Sequence, residues 1–457
     1  MADNYREGSL SLRGAVAMGT GVMVGAGIFA LTGQVAALAG PLFPLAFLTA
    51  AGVAGLGAYT YVKMTRANPS AGGIAMILTQ AYGRSAVAAG SAMLMALSMM
   101  LNQALVARTF GSYLTVPFGD TAGWVVPVLA VAVIAGAVAV NLARNEAIGW
   151  MQTIGAVVKI GGIGLLAIAA LAASGWSYEA GSEGLTAGTS VAGFIAATGL
   201  GVLAYKGFTT ITNSGSELKD PSRNVGRAII ISLVLCAVVY VIVAIGAGSS
   251  LSVDQIVEAQ DYSLAEAARP ALGQWGVWAT VVVAVVACVT GIISSMFAVS
   301  RMLTMVTDMR MIPHRHFGMP GDVRHHMLVY LGVVAAVLAV ALDMGQIAAV
   351  GIIFYLVMDM VIHWGVLRRL RRDVGAKAAV LVSALIADAI VLTAFAVVRG
   401  QEAPWVIAGA FAGVGVIYAL EAWYLRTHPD EDDDSGGDGA DAGAQGDASS
   451  PGQPGPG

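Results

Sequence analysis

Three cations lie inside long apolar runs, where a charge needs a reason: Arg108, Lys159 and Lys206. Lys159 stands near the middle of the run in NLARNEAIGWMQTIGAVVKIGG, which begins at Asn141. An ammonium at that depth costs several kcal/mol unless it is paired or neutral. It therefore has two readings: a group that exchanges a proton, or a fixed cross-link to helix carbonyls, with Ser294 and Ser295 close by. Lys206 sits in GVLAYKGFTTITNSG, either facing a cavity and repelling cations or packing toward Asp359 as its partner. Arg108 lies near the end of its run and is expected to snorkel. Asp359 and His363 are four residues apart and share one helix face, the spacing of a metal pair. Two ligands do not close a site, so no metal is assigned. Asp359 is read as an internal counter-ion, His363 as interfacial, and Asp388 as a further acid in a later run. His314, His316, His325 and His326 fall in a basic segment suited to solvent or lipid headgroups. Met93, Met95, Met99 and Met100 are read as packing. There is no HExxH, GxSxG or Walker loop, so the chain has no catalytic constellation and is not read as an enzyme. No cofactor is implied, and Cys236 and Cys288 have no CxxC spacing.

The medium that holds these groups follows from composition. The 457 residues are 57% hydrophobic and 11% charged, with 58 glycines and a mean hydropathy of +0.76. Soluble domains carry roughly 25% charge, so a soluble globular protein is excluded. Small residues in such abundance suit helices that pack closely in a bilayer. The net charge of -4 is set by the last segment, 427–457, which holds eight acids and no Lys or Arg. The remainder has 24 Lys and Arg against 20 Asp and Glu. That acidic, Gly- and Pro-rich tail has no apolar period and is expected to stay disordered.

A span needs about 20 apolar residues. Twelve runs meet this, at 14–38, 41–63, 85–114, 122–142, 147–173, 190–214, 226–249, 274–307, 325–342, 345–367, 377–398 and 404–425. The first is too long and uninterrupted for a cleaved leader. With the N-terminus inside, nineteen Lys and Arg fall in inner segments and only Arg269 and Arg399 in outer ones. That split places both termini in the cytoplasm.

Two of these runs are interrupted at matching places. The first reads GVMVGAGIFALTG from Gly21, with Gly25-Ala26-Gly27 at its centre. The sixth reads GVLAYKGFTTITNSG from Gly201, with Lys206-Gly207 at its centre. Aligning Gly21 with Gly201 also aligns Gly27 with Gly207. Glycine holds a helix poorly, and two broken spans five helices apart suggest an inverted repeat with a binding site at the membrane midplane. Unwinding there would turn N–H groups toward a carboxylate and carbonyls toward an ammonium, a pair of polarities that suits an amino acid.

At this point the sequence resembles the amino acid-polyamine-organocation superfamily of permeases, over nearly the whole membrane body from Leu12 to Arg426. GVMVGAGIF is similar to the family's Gly-rich first-helix signature. ANPSAGG from Ala67 resembles the Pro-x-x-Gly-Gly segment ahead of the third helix. AYKGFTTITNSGSELKDPSRNVGRAI from Ala204 resembles the sixth-helix motif and the acidic loop after it. SRMLTMVTDMRMIP from Ser300 resembles the Ser-Arg motif that follows helix eight. The resemblance implies an all-α membrane protein of the leucine-transporter type: about twelve helices, a 5+5 inverted repeat and two peripheral helices. The expected divisions are a cytoplasmic N-terminus 1–13, repeats 14–173 and 190–367, peripheral helices 377–426 and the tail 427–457. It implies a secondary transporter of amino acids working by alternating access in the cell membrane. A proton is the expected coupling ion, the lipid bilayer the only other partner, and nucleic acid plays no part. Gly25, Ala26, Gly27 and Ile28 carry over as substrate contacts for the carboxylate. Ala204, Tyr205, Gly207 and Phe208 carry over for the amino group and the gate. Lys159 resembles the lysine that stands where sodium sits in sodium-coupled relatives. Lys206 departs from the family's small or apolar residue; facing the cavity it would favour neutral or anionic substrates, and a neutral amino acid is the expected one. Exchange, sodium coupling and transport of a related amine stay open as alternatives.

Overall fold

The computed structural model describes residues 8, 10–68, 73–119, 123–143, 145–182, 184, 189–309 and 323–427; for 25, 26, 145–154 and 324 it describes the backbone alone. Helices occupy all twelve expected spans. The first is α1a (Leu12–Met23) and α1b (Phe29–Ala39), joined through Val24–Ile28. After it come α2 (Phe43–Ala67), α3 (Ala86–Thr115), α4 (Val125–Ala143) and α5 (Asn145–Ala173). The sixth span is α6a (Val191–Tyr205) and α6b (Thr209–Asn213), joined through Lys206–Phe208. The rest are α7 (Pro221–Ser250), α8 (Arg269–Asp308), α9 (Val323–Ala341), α10 (Met344–Gly365), α11 (Ala378–Glu402) and α12 (Pro404–Thr427). Among the described residues the only β-type pairing is an isolated bridge between Leu10 and Leu218.

Local chemistry sets the helix ends. Ser11, Ser85 and Ser190 accept from the first-turn N–H groups of α1a, α3 and α6a, as serine caps do. A reciprocal Asp343–Gln346 box starts α10. Gly40 takes φ +52° between α1b and α2. Gly273 takes φ +57° inside α8, so the straight part of that helix begins at Gln274, where the apolar run predicted it.

Helix pairing repeats with a shift of five. α3 packs on α10, and its counterpart α8 packs on α5. α1a packs on α7, and α6a packs on α2. The pairs α2·α7 and α3·α8 map onto themselves. That exchange symmetry is the inverted repeat in physical form. α3, α6a and α8 are buried along most of their apolar length, whereas α11 and α12 turn most of theirs outward. Trp275, Trp364, Trp405 and Trp423 are exposed near helix ends, the position of an interfacial aromatic belt.

Candidate substrate and coupling site

The two central interruptions are changes of helical pitch rather than unwound segments, which corrects the expectation of open breaks. Val24–Ile28 is a wide, π-type turn with helical dihedrals on both sides. Lys206–Phe208 is a tight 3-10 turn. The small residues of Gly25-Ala26-Gly27 let the backbone follow a wider helix without side-chain crowding, and such segments recur at functional sites. The surroundings of Gly25 and Ala26 lie outside the described residues. The breaks interlock reciprocally. A methyl on Gly207 would stand 2.7 Å from Met23 Cγ and 2.8 Å from Met23 N, and one on Gly27 would overlap the Tyr240 hydroxyl and Ala204. Only hydrogen at these positions lets the two helices meet.

Hydroxyl groups serve the carbonyls of both breaks. Tyr240 on α7 donates to Met23 O at 2.6 Å, with Ala204 O at 3.2 Å. Thr209 donates to Lys206 O and Thr210 to Gly207 O, at 2.9 and 2.7 Å. Of the carbonyls assigned to an amino group, those of Ala204 and Gly207 therefore already have hydroxyl partners, which an incoming ammonium must share or displace. Ile28, Ala204, Tyr205, Gly207 and Phe208 are all buried. Tyr205 lies 4.8 Å from the Tyr240 ring and Phe208 5.4 Å from the Tyr61 ring.

Lys159 is fully buried. Its ammonium donates to Gly21 O on α1a at 2.9 Å and to Thr290 Oγ1 on α8 at 3.0 Å. Ser294 lies one turn along, donating to Thr290 O at 2.6 Å. Ser295 instead accepts from Gln103 Nε2 of α3 at 3.4 Å. Neither serine bonds Lys159; Thr290 takes the role considered for them. Lys206 donates to Ser98 Oγ on α3 at 2.6 Å, and Ser98 donates onward to Gly351 O at 2.7 Å. Its ammonium also lies 5.5 Å from the centre of the Tyr355 ring. The pairing of Lys206 with Asp359 is thus not formed.

Asp359 has other partners. Its Oδ1 accepts a hydrogen bond from Tyr61 of α2, and its Oδ2 lies 3.5 Å from His363 Nε2. His363 is wholly buried rather than interfacial, with Thr60 Oγ1 at 2.9 Å from its Nδ1. Asp388 of α11 comes to 3.5 Å from the same Nε2. Spacing along one helix linked Asp359 to His363, but only packing brings in the third group. Arg108 is half-buried and donates to Ala339 O at 2.8 Å, so it is anchored to α9 rather than snorkelling freely.

Comparison with known proteins decides what this frame belongs to. The family model described as amino acid permease matches residues 10–420. The chain belongs to the amino acid permease family. The inner membrane transport protein YbaT of Escherichia coli is 28% identical over 389 residues, 84% of this permease and 89% of YbaT. The protein MJ0609 of Methanocaldococcus jannaschii is 30% identical over 271 residues, 58% of this chain; the match spans 61% of MJ0609, under two thirds of its length. Among solved structures, a single-site variant of the Eremococcus coleocola manganese transporter aligns over 92% of the permease and 98% of its own chain. Its TM-score is 0.58 at 12% identity, so that likeness concerns the fold alone. The permease is a multi-pass membrane transporter and not an enzyme.

The motif segments of the permease converge at the end of α6b. A methyl on Gly73 (φ +47°) would strike the Asn213 backbone, and Ile74 N donates to Asn213 Oδ1 at 3.2 Å. Glu217, from the acidic loop, forms a buried ion pair with Arg301 of α8, whose guanidinium stacks 3.9 Å from the Phe297 ring. Leu10 N donates to Glu217 O at 2.8 Å and Lys219 N to Leu10 O at 3.0 Å, tying the lead-in to α1a to the same loop. Residues 69–72 and 310–313 of two motifs, with Arg310, Arg315, His314 and His316, lie outside the described residues, as does the tail 428–457. Sequence reasoning missed Tyr240, Thr290, Thr209 and Thr210. A lone tyrosine in the apolar seventh run, and a Thr-Thr pair just after the Lys-Gly break, are the signals that mark three of them.

Proposed function

We propose that the permease carries amino acids across the cell membrane by alternating access, coupled to a proton rather than to sodium, and prefers neutral side chains. The two units 14–173 and 190–367 move relative to one another, with helices 377–426 outside them and both termini cytoplasmic. Gly25, Ala26, Gly27 and Ile28 receive the substrate carboxylate. Ala204, Tyr205, Gly207 and Phe208 receive the amino group and close over it.

The observation that carries this reading is the position of Lys159. Among the described residues its ammonium has no carboxylate partner, and it donates to Gly21 O, five residues before the centre of the wide turn in the first span. Charge at that buried point is expensive, so gain or loss of its proton changes the energy of the α1a–α5–α8 contact. That links protonation to the element that holds substrate. Lys206, a second cation at the break held by Ser98, supports exclusion of cationic substrates. The test is Lys159→Ala in proteoliposomes. Proton-driven uptake should disappear while substrate counterflow persists. Loss of both, or of neither, refutes a coupling role.

A further inference from the structure

A metal site without its ion has a recognisable form. Its donor atoms converge at ligand spacing without hydrogen-bonding one another, while hydrogen bonds to their far atoms hold them in aim. The buried trio on α10 and α11 has that form. His363 Nε2 stands 3.5 Å from Asp359 Oδ2 and 3.5 Å from Asp388 Oδ2, and one ligand atom from each residue lies within 4.8 Å of the others. The side chains are 0%, 3% and 3% exposed. Among the described residues neither His363 Nε2 nor Asp388 Oδ2 has a hydrogen-bond partner. An imidazolium beside a carboxylate closes to about 2.7–2.9 Å on it; here the nitrogen stands off equally from two. Zinc bonds of roughly 2.0–2.2 Å in a tetrahedral set put neighbouring donors about 3.3–3.5 Å apart.

The outer groups fit as well. Thr60 lies 2.9 Å from His363 Nδ1, and Tyr61 donates to Asp359 Oδ1, so the far atoms of two ligands are fixed from α2. On the same side Gly57 has no side chain. A methyl there would come within 3.2 Å of Asp359 Oδ2 and 3.5 Å of His363 Nε2, and its absence leaves room for a fourth donor. Two carboxylates and a neutral imidazole balance a divalent ion, which removes the cost of buried net charge. One nitrogen and two oxygens suit zinc and its first-row neighbours.

We propose that Asp359, His363 and Asp388 bind a divalent transition-metal ion of the zinc class, joining the peripheral helix α11 to α10 and, through Thr60 and Tyr61, to α2. This inference does not depend on what the permease transports. The test is elemental analysis of untagged, full-length permease purified in detergent without chelator, followed by cobalt titration of stripped protein. Wild type should retain close to one equivalent of zinc and show the visible absorption of four-coordinate cobalt. Asp388→Asn and His363→Gln should lose both while eluting as a monodisperse peak. Tyr61→Phe, which keeps all three ligands, should weaken cobalt binding by about 10–100-fold. Wild type that matches Asp388→Asn in zinc content and gives no cobalt spectrum overturns the proposal. So does proton uptake on acidification that needs the trio in protein binding no metal, since the occupant is then a proton.

Discussion

Replacing Gly207 with alanine tests the interlock of the two broken helices. The added methyl would stand 2.7 Å from Met23 Cγ, 2.8 Å from Met23 N and 3.1 Å from Val22 Cβ. Carbon atoms in ordinary contact are about 3.5–4.0 Å apart, so α6a and α1a must separate by several tenths of an ångström. Overpacking of this kind costs roughly 1–3 kcal/mol. At about 1.4 kcal/mol per factor of ten, the arrangement in which the two breaks meet should lose roughly 5–150-fold in population. Initial uptake rates in proteoliposomes, normalised to reconstituted protein, should fall accordingly. Shortening Met23 should not restore them, because its backbone nitrogen is part of the clash. Gly52→Ala, where nothing lies within 4 Å, is the control and should transport as wild type does. A Gly207→Ala protein that transports within about twofold of wild type would show that the two breaks do not have to meet as described.

Three further outcomes are expected. Arg301→Met leaves Glu217 buried without its partner and should cost about 3–5 kcal/mol, read as a lowered melting temperature in detergent; adding Glu217→Gln should recover part of it. Burial pushes the Asp261 carboxyl, in the loop between α7 and α8, above its ordinary value, with Arg108 opposing and Asp343 adding. A raised native value means that the folded state holds the proton more tightly, so the ionised carboxylate is destabilising at neutral pH. Asp261→Asn should therefore melt higher than wild type at pH 7, and the gap should close as pH falls to about 4; a gap that widens on acidification contradicts the assignment. Lys206→Gln keeps a donor for Ser98 but removes the charge. Cationic amino acids should then begin to compete for uptake, and unchanged selectivity would exclude a charge filter there.

The spans were legible because a bilayer makes a simple demand, about 20 apolar residues for each helix, and the sequence meets it twelve times. Even the late start of the straight part of α8 appears in the apolar run, because Gly273 takes a positive φ that a helix does not. The positions of the two breaks were readable from glycine, but their form was not. Whether Gly25-Ala26-Gly27 unwinds or widens depends on neighbours such as Tyr240, which reaches Met23 and Ala204 from a helix over two hundred residues away from the first. The partner of Lys206 was misread for a similar reason. An acid on α10 at the right depth is a plausible counter-ion, yet side-chain direction in the turn after α6a aims the ammonium at Ser98. The trio with Asp388 shows the general limit, since periodicity relates residues along one helix and only packing relates α10 to α11.

The coupling claim is tested most directly by uptake of labelled neutral amino acids into proteoliposomes under an imposed pH gradient, with and without sodium and with a protonophore control. Accumulation should follow the pH gradient, collapse with the protonophore and ignore sodium, and Lys159→Ala should abolish it. Accumulation that requires sodium, or that persists unchanged in Lys159→Ala, would contradict the account.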